Sequence, residues 1–191
     1  MKKLLLCLLF FAGLAVIPAA AWEPNDLTKY PSIMNENNWI FNFGIGLPHI
    51  EDLFYSDDDI THVWPFCLTL DRNLSIGEKK LPFFLGGHIG YSGIGYLNRG
   101  FENRIILGAR FGYHFNWGIE NLDTYAVTTA GWIFLTGNDY YRNNYSEARK
   151  GIIHVGVKIG ARWFVYDFFG FWAEAGYTTS SILDAGITFK F

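Results

Sequence analysis

Apolar and polar residues alternate along most of the chain that follows residue 37. Between Ile153 and Val165, every second residue is apolar, whereas the residues between them are mainly charged, histidine or glycine. Because successive side chains of a β-strand point to opposite faces, this period of two predicts a strand with one apolar and one polar face. Residues 104–115 repeat the pattern, with an interruption at Ile106. Each run is about long enough to cross a bilayer at a tilt.

Six further segments have the composition of strands, which brings the predicted number to eight. One of them, residues 124–135, does not reveal which of its faces is apolar. The connections between the predicted strands alternate between longer and shorter ones. Bacterial outer-membrane barrels show this alternation, with short turns at the periplasmic end and longer loops outside. If the strands form such a barrel, we expect the chain to enter it from the periplasmic end. The longer connections are predicted at 48–59, 93–103 and 136–150, the shorter ones at 72–80, 116–123 and 166–170, and a very short last one at 179–181.

The first 21 residues predict a cleavable secretory signal peptide. Two lysines precede an apolar run over residues 4–17, which ends in a proline and three alanines. These are the features of such a peptide. The run is also shorter than the roughly 20 residues of a spanning helix, which disfavours an uncleaved anchor. We expect cleavage between Ala21 and Trp22, a periplasmic lead-in over 22–37, and one barrel domain over 38–191.

The predicted mature chain is mildly acidic and contains one cysteine. Of the 15 basic residues, two lie in the signal peptide, which leaves 13 against 18 acidic residues. Nucleic-acid binding needs a concentrated basic surface, so we expect no nucleic-acid partner. A single cysteine, Cys67, excludes a disulfide framework, so the stability of the exported domain has another source.

The apolar face of the predicted barrel could line a cavity, as in lipocalins, or point outwards into lipid. Aromatic residues make up 19% of the chain. An eight-stranded barrel has room inside only for side chains or one small ligand, so aromatic and branched residues from nearly every strand would overfill it. We therefore predict an eight-stranded antiparallel up-and-down transmembrane β-barrel in a bacterial outer membrane, in contact with its lipids. The aromatic residues predicted at its periplasmic interface are Trp39, Phe83, Tyr113, Phe115, Trp117, Tyr125, Trp163, Tyr166, Phe171 and Phe191.

The end of the chain carries a family resemblance. Phe191 is terminal, and Phe189 and Ile187 precede it at alternating positions. This pattern resembles the C-terminal signature that the barrel assembly machinery reads in outer-membrane barrels, which makes that machinery an expected partner. The predicted mature chain resembles the small eight-stranded group that includes opacity-type adhesins, the OmpA membrane domain and the OmpW proteins. No subfamily motif can be matched residue by residue.

Charged residues of both signs fall on the predicted inward face. An unpaired buried charge costs about 3–5 kcal/mol, so these groups should pair and fill the interior as a plug. If the turn at 166–170 centres on Phe168, Arg162 lies directly opposite Glu174, and we expect an ion pair between them. The predicted interior charge network comprises Arg104, Arg110, Lys158, Arg162, Glu174 and Asp184, with Lys190 on the same face.

The sequence offers no catalytic or metal-binding constellation. His88 and Ser92 share a face, but no carboxylate lies near them in sequence, and the local His-x-Ser pattern of the lipid A deacylases is absent. Asp57–Asp59 lack the spaced oxygen ligands and glycine of a calcium loop. The five histidines show no metal-ligand spacing. We therefore expect neither an enzyme nor a cofactor.

The outer loops are the remaining place for function. The leading hypothesis is a non-enzymatic surface protein whose loops bind host or envelope components, as an adhesin or structural protein does. The OmpW resemblance implies an alternative, a narrow porin-like channel for small apolar solutes, and a lipid A enzyme comes third. The candidate binding residues in the loops are Asp58, Tyr140, Tyr141, Arg142 and Tyr145.

Overall fold

A computed structural model of the chain describes residues 38–47, 60–76, 79–96, 100–115, 117, 119, 121–137, 152–178 and 180–191. The predicted signal peptide, the lead-in and the five candidate loop residues lie outside these ranges. The described residues form eight strands, as predicted, and include no helix long and apolar enough to cross a membrane. The strands are β1 Trp39–Leu47, β2 Ile60–Ile76, β3 Lys79–Tyr96, β4 Gly100–Phe115, β5 Leu122–Gly137, β6 Ile152–Tyr166, β7 Phe169–Tyr177 and β8 Leu183–Lys190.

The eight strands form a closed antiparallel barrel in which each strand pairs with the next along the chain. β1 and β8 close it, with Phe41 opposite Phe189. Two further backbone hydrogen bonds join Trp39 to Phe191, at 2.8 and 3.0 Å. We call this the terminal end of the barrel and the opposite one the loop end. Closure leaves no free sheet edge among the paired strands, which confirms the predicted up-and-down topology.

Strand alternation sorts the side chains as the sequence predicted. On β6, Ile159 and Trp163 are exposed on the outside, whereas Lys158 and Arg162 are buried inside the barrel. Ile106, the interruption on β4, is an apolar side chain on the inward face and is 1% exposed. The strand therefore continues through it without a change of register.

β5 is the strand whose facing the sequence left open. Asp123, Tyr125 and Val127 point inward, and Trp132 and Phe134 point outward. Tyr125 was predicted at the outer aromatic interface, and that prediction is wrong because its side chain is fully buried inside. The ambiguity has a physical origin. The inward face of β5 carries apolar and aromatic side chains, and its outward face mixes large apolar side chains with small alanines and threonines. Neither face is therefore clearly the apolar one.

Several predicted connections are wrong because the strands extend into them. β2 runs on to Ile76 and β3 begins at Lys79, so most of the predicted 72–80 connection is paired strand. Likewise, the strands on either side of 93–103 reach Tyr96 and Gly100. Polar and glycine residues indicated turns there, but in this barrel such residues also occupy the inward face. The proline of β2, Pro65, lies at a bulge between Val63 and Phe66, where its missing N–H disturbs no regular pairing.

Candidate functional site

The described interior is organised around Asp71, an inward residue of β2. Nε of Arg110, on β4, donates to Asp71 Oδ1 at 3.0 Å. Nη2 of Arg162, on β6, donates to Oδ2 of the same carboxylate. All three side chains are at most 1% exposed. Asp71 is absent from the predicted charge network, although its alternation with the apolar Leu68 and Leu70 is the signal that could have found it on the inward face.

Glu174, on β7, is the second carboxylate that holds Arg110. Arg110 Nη2 donates to Glu174 Oε1 at 2.5 Å, and the phenol of Tyr125 donates to the same oxygen at 2.7 Å. Arg110 therefore lies between two carboxylates, which neutralise its charge in the interior. Hydrogen bonds in which both partners are charged are the strong ones, so this arrangement fixes Arg110 firmly.

Asp123, at the start of β5, extends the network towards the terminal end. It accepts from Arg162 Nη1 at 2.9 Å and from His114 Nδ1 at 2.6 Å. The other ring nitrogen of His114 lies 3.1 Å from Asn73 Oδ1. The sequence missed Asp123 because it fell in the predicted 116–123 connection, whereas in the structure it is paired strand opposite Arg162.

The predicted direct pair between Arg162 and Glu174 is wrong. Arg162 lies opposite Trp172, and Glu174 lies opposite Gly160. The β6–β7 hairpin turns at Asp167 and Phe168, and its strand pairing is irregular between Phe164 and Tyr166. The observed pairing is therefore shifted by two residues from the pairing that a turn centred on Phe168 would give. A shift of two keeps every side chain on its predicted face. Each residue is still paired, but with partners on other strands.

Aromatic rings pack around the charged network and complete the filling of the barrel. The guanidinium carbon of Arg162 lies 4.1 Å from the centre of the Tyr125 ring and 5.5 Å from that of Phe84. Phe84 and Tyr125 meet edge to face, with their ring centres 5.5 Å apart. Such contacts stabilise a desolvated cation. Phe84, Phe164 and Trp172 are all buried, so this part of the lumen is occupied by side chains.

A second charged cluster lies nearer the loop end. Nζ of Lys158 donates to Asp184 Oδ2 and, at 3.0 Å, to the hydroxyl of Ser181. Ser181 in turn donates to the same Asp184 oxygen at 3.0 Å. The backbone of Ser181 is held by Thr178, whose hydroxyl donates to the Ser181 carbonyl at 2.9 Å. The cluster thus ties β6, β8 and the β7–β8 connection together.

Two predicted network residues stand apart from these clusters. Arg104 pairs with Glu102 on its own strand, at 2.7 Å, and the two side chains are 29% and 17% exposed. Lys190 is half-buried, with Nζ 5.0 Å from the centre of the Phe164 ring. The other five, Arg110, Lys158, Arg162, Glu174 and Asp184, are all buried in ion pairs.

The two phenylalanines of the predicted C-terminal signature point outward at the terminal end. Phe189 is half-buried against Phe41 and Phe169, at ring-centre distances of 6.5 and 5.4 Å. Phe191 is exposed, and its backbone pairs with Trp39. Both residues therefore lie where β8 closes the barrel on β1.

His88 and Ser92 face the interior, as their spacing predicts. His88 is buried, and neither of its ring nitrogens has a hydrogen-bond partner among the residues that the structure describes. Its ring lies nearly parallel to that of His154, with centres 6.2 Å apart. A nucleophile needs a base that is itself oriented by a third group. The hydrogen bonds of the described residues do not assemble such a set here. Nor do the described residues include a group of three or more His, Cys, Asp or Glu that could hold a metal ion.

A scan against protein-family models finds no family that matches the chain, and a search of the curated proteins finds none that is similar.

Proposed function

We propose that the chain is a non-enzymatic outer-membrane protein, anchored by its barrel and active through the loops at the loop end. The observation that carries this proposal is the inversion of the usual soluble pattern, with a network of ion pairs buried inside the barrel and large apolar side chains exposed outside. Soluble monomers rarely expose apolar patches above a few hundred Å². Here all eight strands contribute exposed apolar residues: Phe43, Ile45, Phe66, Leu70, Leu85, Ile89, Leu107, Phe111, Trp132, Phe134, Val155, Ile159, Trp163, Phe171, Tyr177 and Leu183.

The chemistry of lipid supports this assignment. Hydrocarbon offers no hydrogen bonds, so a spanning sheet must satisfy its backbone by closing, as these strands do. Aromatic side chains concentrate where a bilayer meets water. At the terminal end, Trp39, Trp163, Phe171 and Phe191 are exposed on the outer surface. We assign this end to the periplasm and the loop end to the cell exterior.

The filled interior favours an anchor over the narrow-channel alternative. Arg110, Arg162, Phe84 and Phe164 are all at most 1% exposed, and the arginines are held by carboxylates from opposite sides of the barrel. A solute path through this level would require several ion pairs to break together. We therefore place binding of host or envelope components in the outer loops, which include the candidate residues Asp58, Tyr140, Tyr141, Arg142 and Tyr145.

Refolding of the purified protein into phospholipid vesicles tests the membrane assignment. We expect the barrel to insert, to resist protease digestion and to migrate differently in gels with and without boiling. Planar-bilayer recordings on the same preparation test the anchor against the channel. Protein that stays in solution without vesicles or detergent contradicts the membrane assignment, and steady conductance from every inserted molecule contradicts the plug.

A further inference from the structure

A tyrosine and an asparagine form a hydrogen-bonded pair on the apolar outer surface of the barrel. The phenol of Tyr91, on β3, donates to Oδ1 of Asn103, on β4, at 2.5 Å. Asn103 shares the outward face of β4 with the exposed Ile105. Tyr91 stacks on the outward Phe66 of β2, with ring centres 5.1 Å apart. A polar amide therefore stands among side chains that face the proposed lipid.

This pair lies about one hydrocarbon thickness away from the aromatic residues of the terminal end. There, Tyr113 of β4 packs on Phe83, with ring centres 5.3 Å apart. Asn103 lies ten residues from Tyr113 along β4. At about 3.4 Å per residue and a tilt of about 45°, that separation spans about 24 Å, close to the height of about 25 Å of the apolar band of such barrels. The outward residues between them are all apolar: Ile105, Leu107, Ala109 and Phe111. Asn103 is therefore at the level where hydrocarbon ends in the loop-end leaflet.

The hydrogen bond from Tyr91 fixes the direction of the Asn103 amide. Oδ1 accepts from the phenol, so Nδ2, on the other branch of the planar amide, points away from Tyr91. Nδ2 donates to no partner among the residues that the structure describes. The residues paired with Asn103 on its two neighbouring strands are Gly93 and Thr136, both uncharged. A neutral donor without a cation beside it suits a neutral acceptor better than a phosphate, whose usual partners are arginine and lysine.

We propose that Asn103, oriented by Tyr91, binds the carbonyl oxygen of an acyl linkage in a lipid of the loop-end leaflet. This proposal rests on the membrane assignment made above. Acyl carbonyls lie at the boundary between the chains and the headgroups, and the chains themselves offer no acceptor. Ile105, two residues closer to the middle of the bilayer, and Phe66 are both exposed and provide apolar contacts for the chain of the same lipid.

Hydrogen exchange of the Asn103 side-chain amide, followed by nuclear magnetic resonance on the folded protein in lipid nanodiscs, measures this contact. Diacyl phosphatidylglycerol is compared with its dialkyl ether analogue, which keeps the phosphate and the chain length but has no carbonyls. We expect exchange to be about fivefold slower in the diacyl lipid, the ratio that a hydrogen bond contributing about 1 kcal/mol produces. Asn103→Leu identifies the signal by removing it. Asn42 is the internal control, because its Nδ2 donates to Thr69 inside the barrel at 2.6 Å and should exchange equally in both lipids.

A variant and a detergent complete the test. Tyr91→Phe keeps the ring on Phe66 and removes the hydroxyl, so it should bring the exchange ratio towards one. An unchanged ratio in this variant overturns the orienting role of Tyr91. Equal exchange in the two lipids that is slower than in dodecyl maltoside, which has neither carbonyl nor phosphate, assigns the contact to the phosphate and overturns the carbonyl site.

Vesicle insertion of the parent protein is measured in parallel and separates the two proposals. Insertion combined with equal exchange in both lipids and in the detergent refutes the lipid site alone. Failure of the parent to insert refutes the membrane assignment and the site with it.

Discussion

Asp71 on β2 and Arg162 on β6 stand on opposite sides of the eight-stranded barrel and form an ion pair across its interior. Their strands share no backbone pairing, so this contact joins parts of the sheet that are otherwise linked only around the wall. The same carboxylate also holds Arg110 from β4. One side chain therefore connects three strands, and the stability of the barrel should depend on it more than on any surface charge.

Replacing Asp71 by Asn should destabilise the barrel strongly. The amide keeps the shape of the side chain but removes the charge that Arg110 and Arg162 share. Removal of one partner of a buried pair costs about 3–5 kcal/mol. Urea unfolding in vesicles measures the decrease in the free energy of unfolding. Glu102→Gln is the control, because its partly exposed pair with Arg104 should contribute about 0–1 kcal/mol. Similar losses for both variants would contradict the central role of Asp71.

Double-mutant cycles should distinguish pairs of residues that are in direct contact from pairs that only belong to the same charge network. Arg110 and Glu174 are hydrogen-bonded at 2.5 Å, so Arg110→Met and Glu174→Gln should couple by about 0.5–3 kcal/mol. The same cycle with Arg162→Met in place of Arg110→Met should give a smaller coupling, since Arg162 donates to Asp71 and Asp123 instead. The reverse order of the two coupling energies would support the register that places Arg162 opposite Glu174.

The sequence predicts the number of strands, their closure order and most of their facing, because alternation is a local property that each strand displays on its own. The partners of inward charges depend instead on turn geometry. A two-residue difference in the β6–β7 hairpin moves Glu174 away from Arg162, while the facing of both remains as predicted. Asp123 shows the second limit. An aspartate beside a turn is as suitable for the turn as for an inward strand position, and only the closed barrel decides between them.

A charge placed on the outward face should destabilise the barrel more strongly the closer it lies to the middle of the bilayer. Ile159 lies in the middle of β6 and is 60% exposed, so Ile159→Arg should destabilise the barrel in vesicles by about 2–4 kcal/mol. Thr136→Arg, one residue from the end of β5 at the loop end, should cost about 0–1 kcal/mol by the same depth dependence. Equilibrium unfolding of both variants provides the comparison. Equal stability of Ile159→Arg and the parent would mean that this face does not contact hydrocarbon.

The two ends of the barrel should differ in their access from outside the cell. Asp167 lies in the tight β6–β7 turn at the terminal end, and residue 143 lies in the connection between Gly137 and Ile152 at the loop end. In a Cys67→Ser background, a membrane-impermeant thiol reagent should label Asn143→Cys in intact cells and leave Asp167→Cys unlabelled. Permeabilising the outer membrane should make both sites reactive, which controls for local accessibility. Labelling of Asp167→Cys alone in intact cells would reverse the proposed orientation.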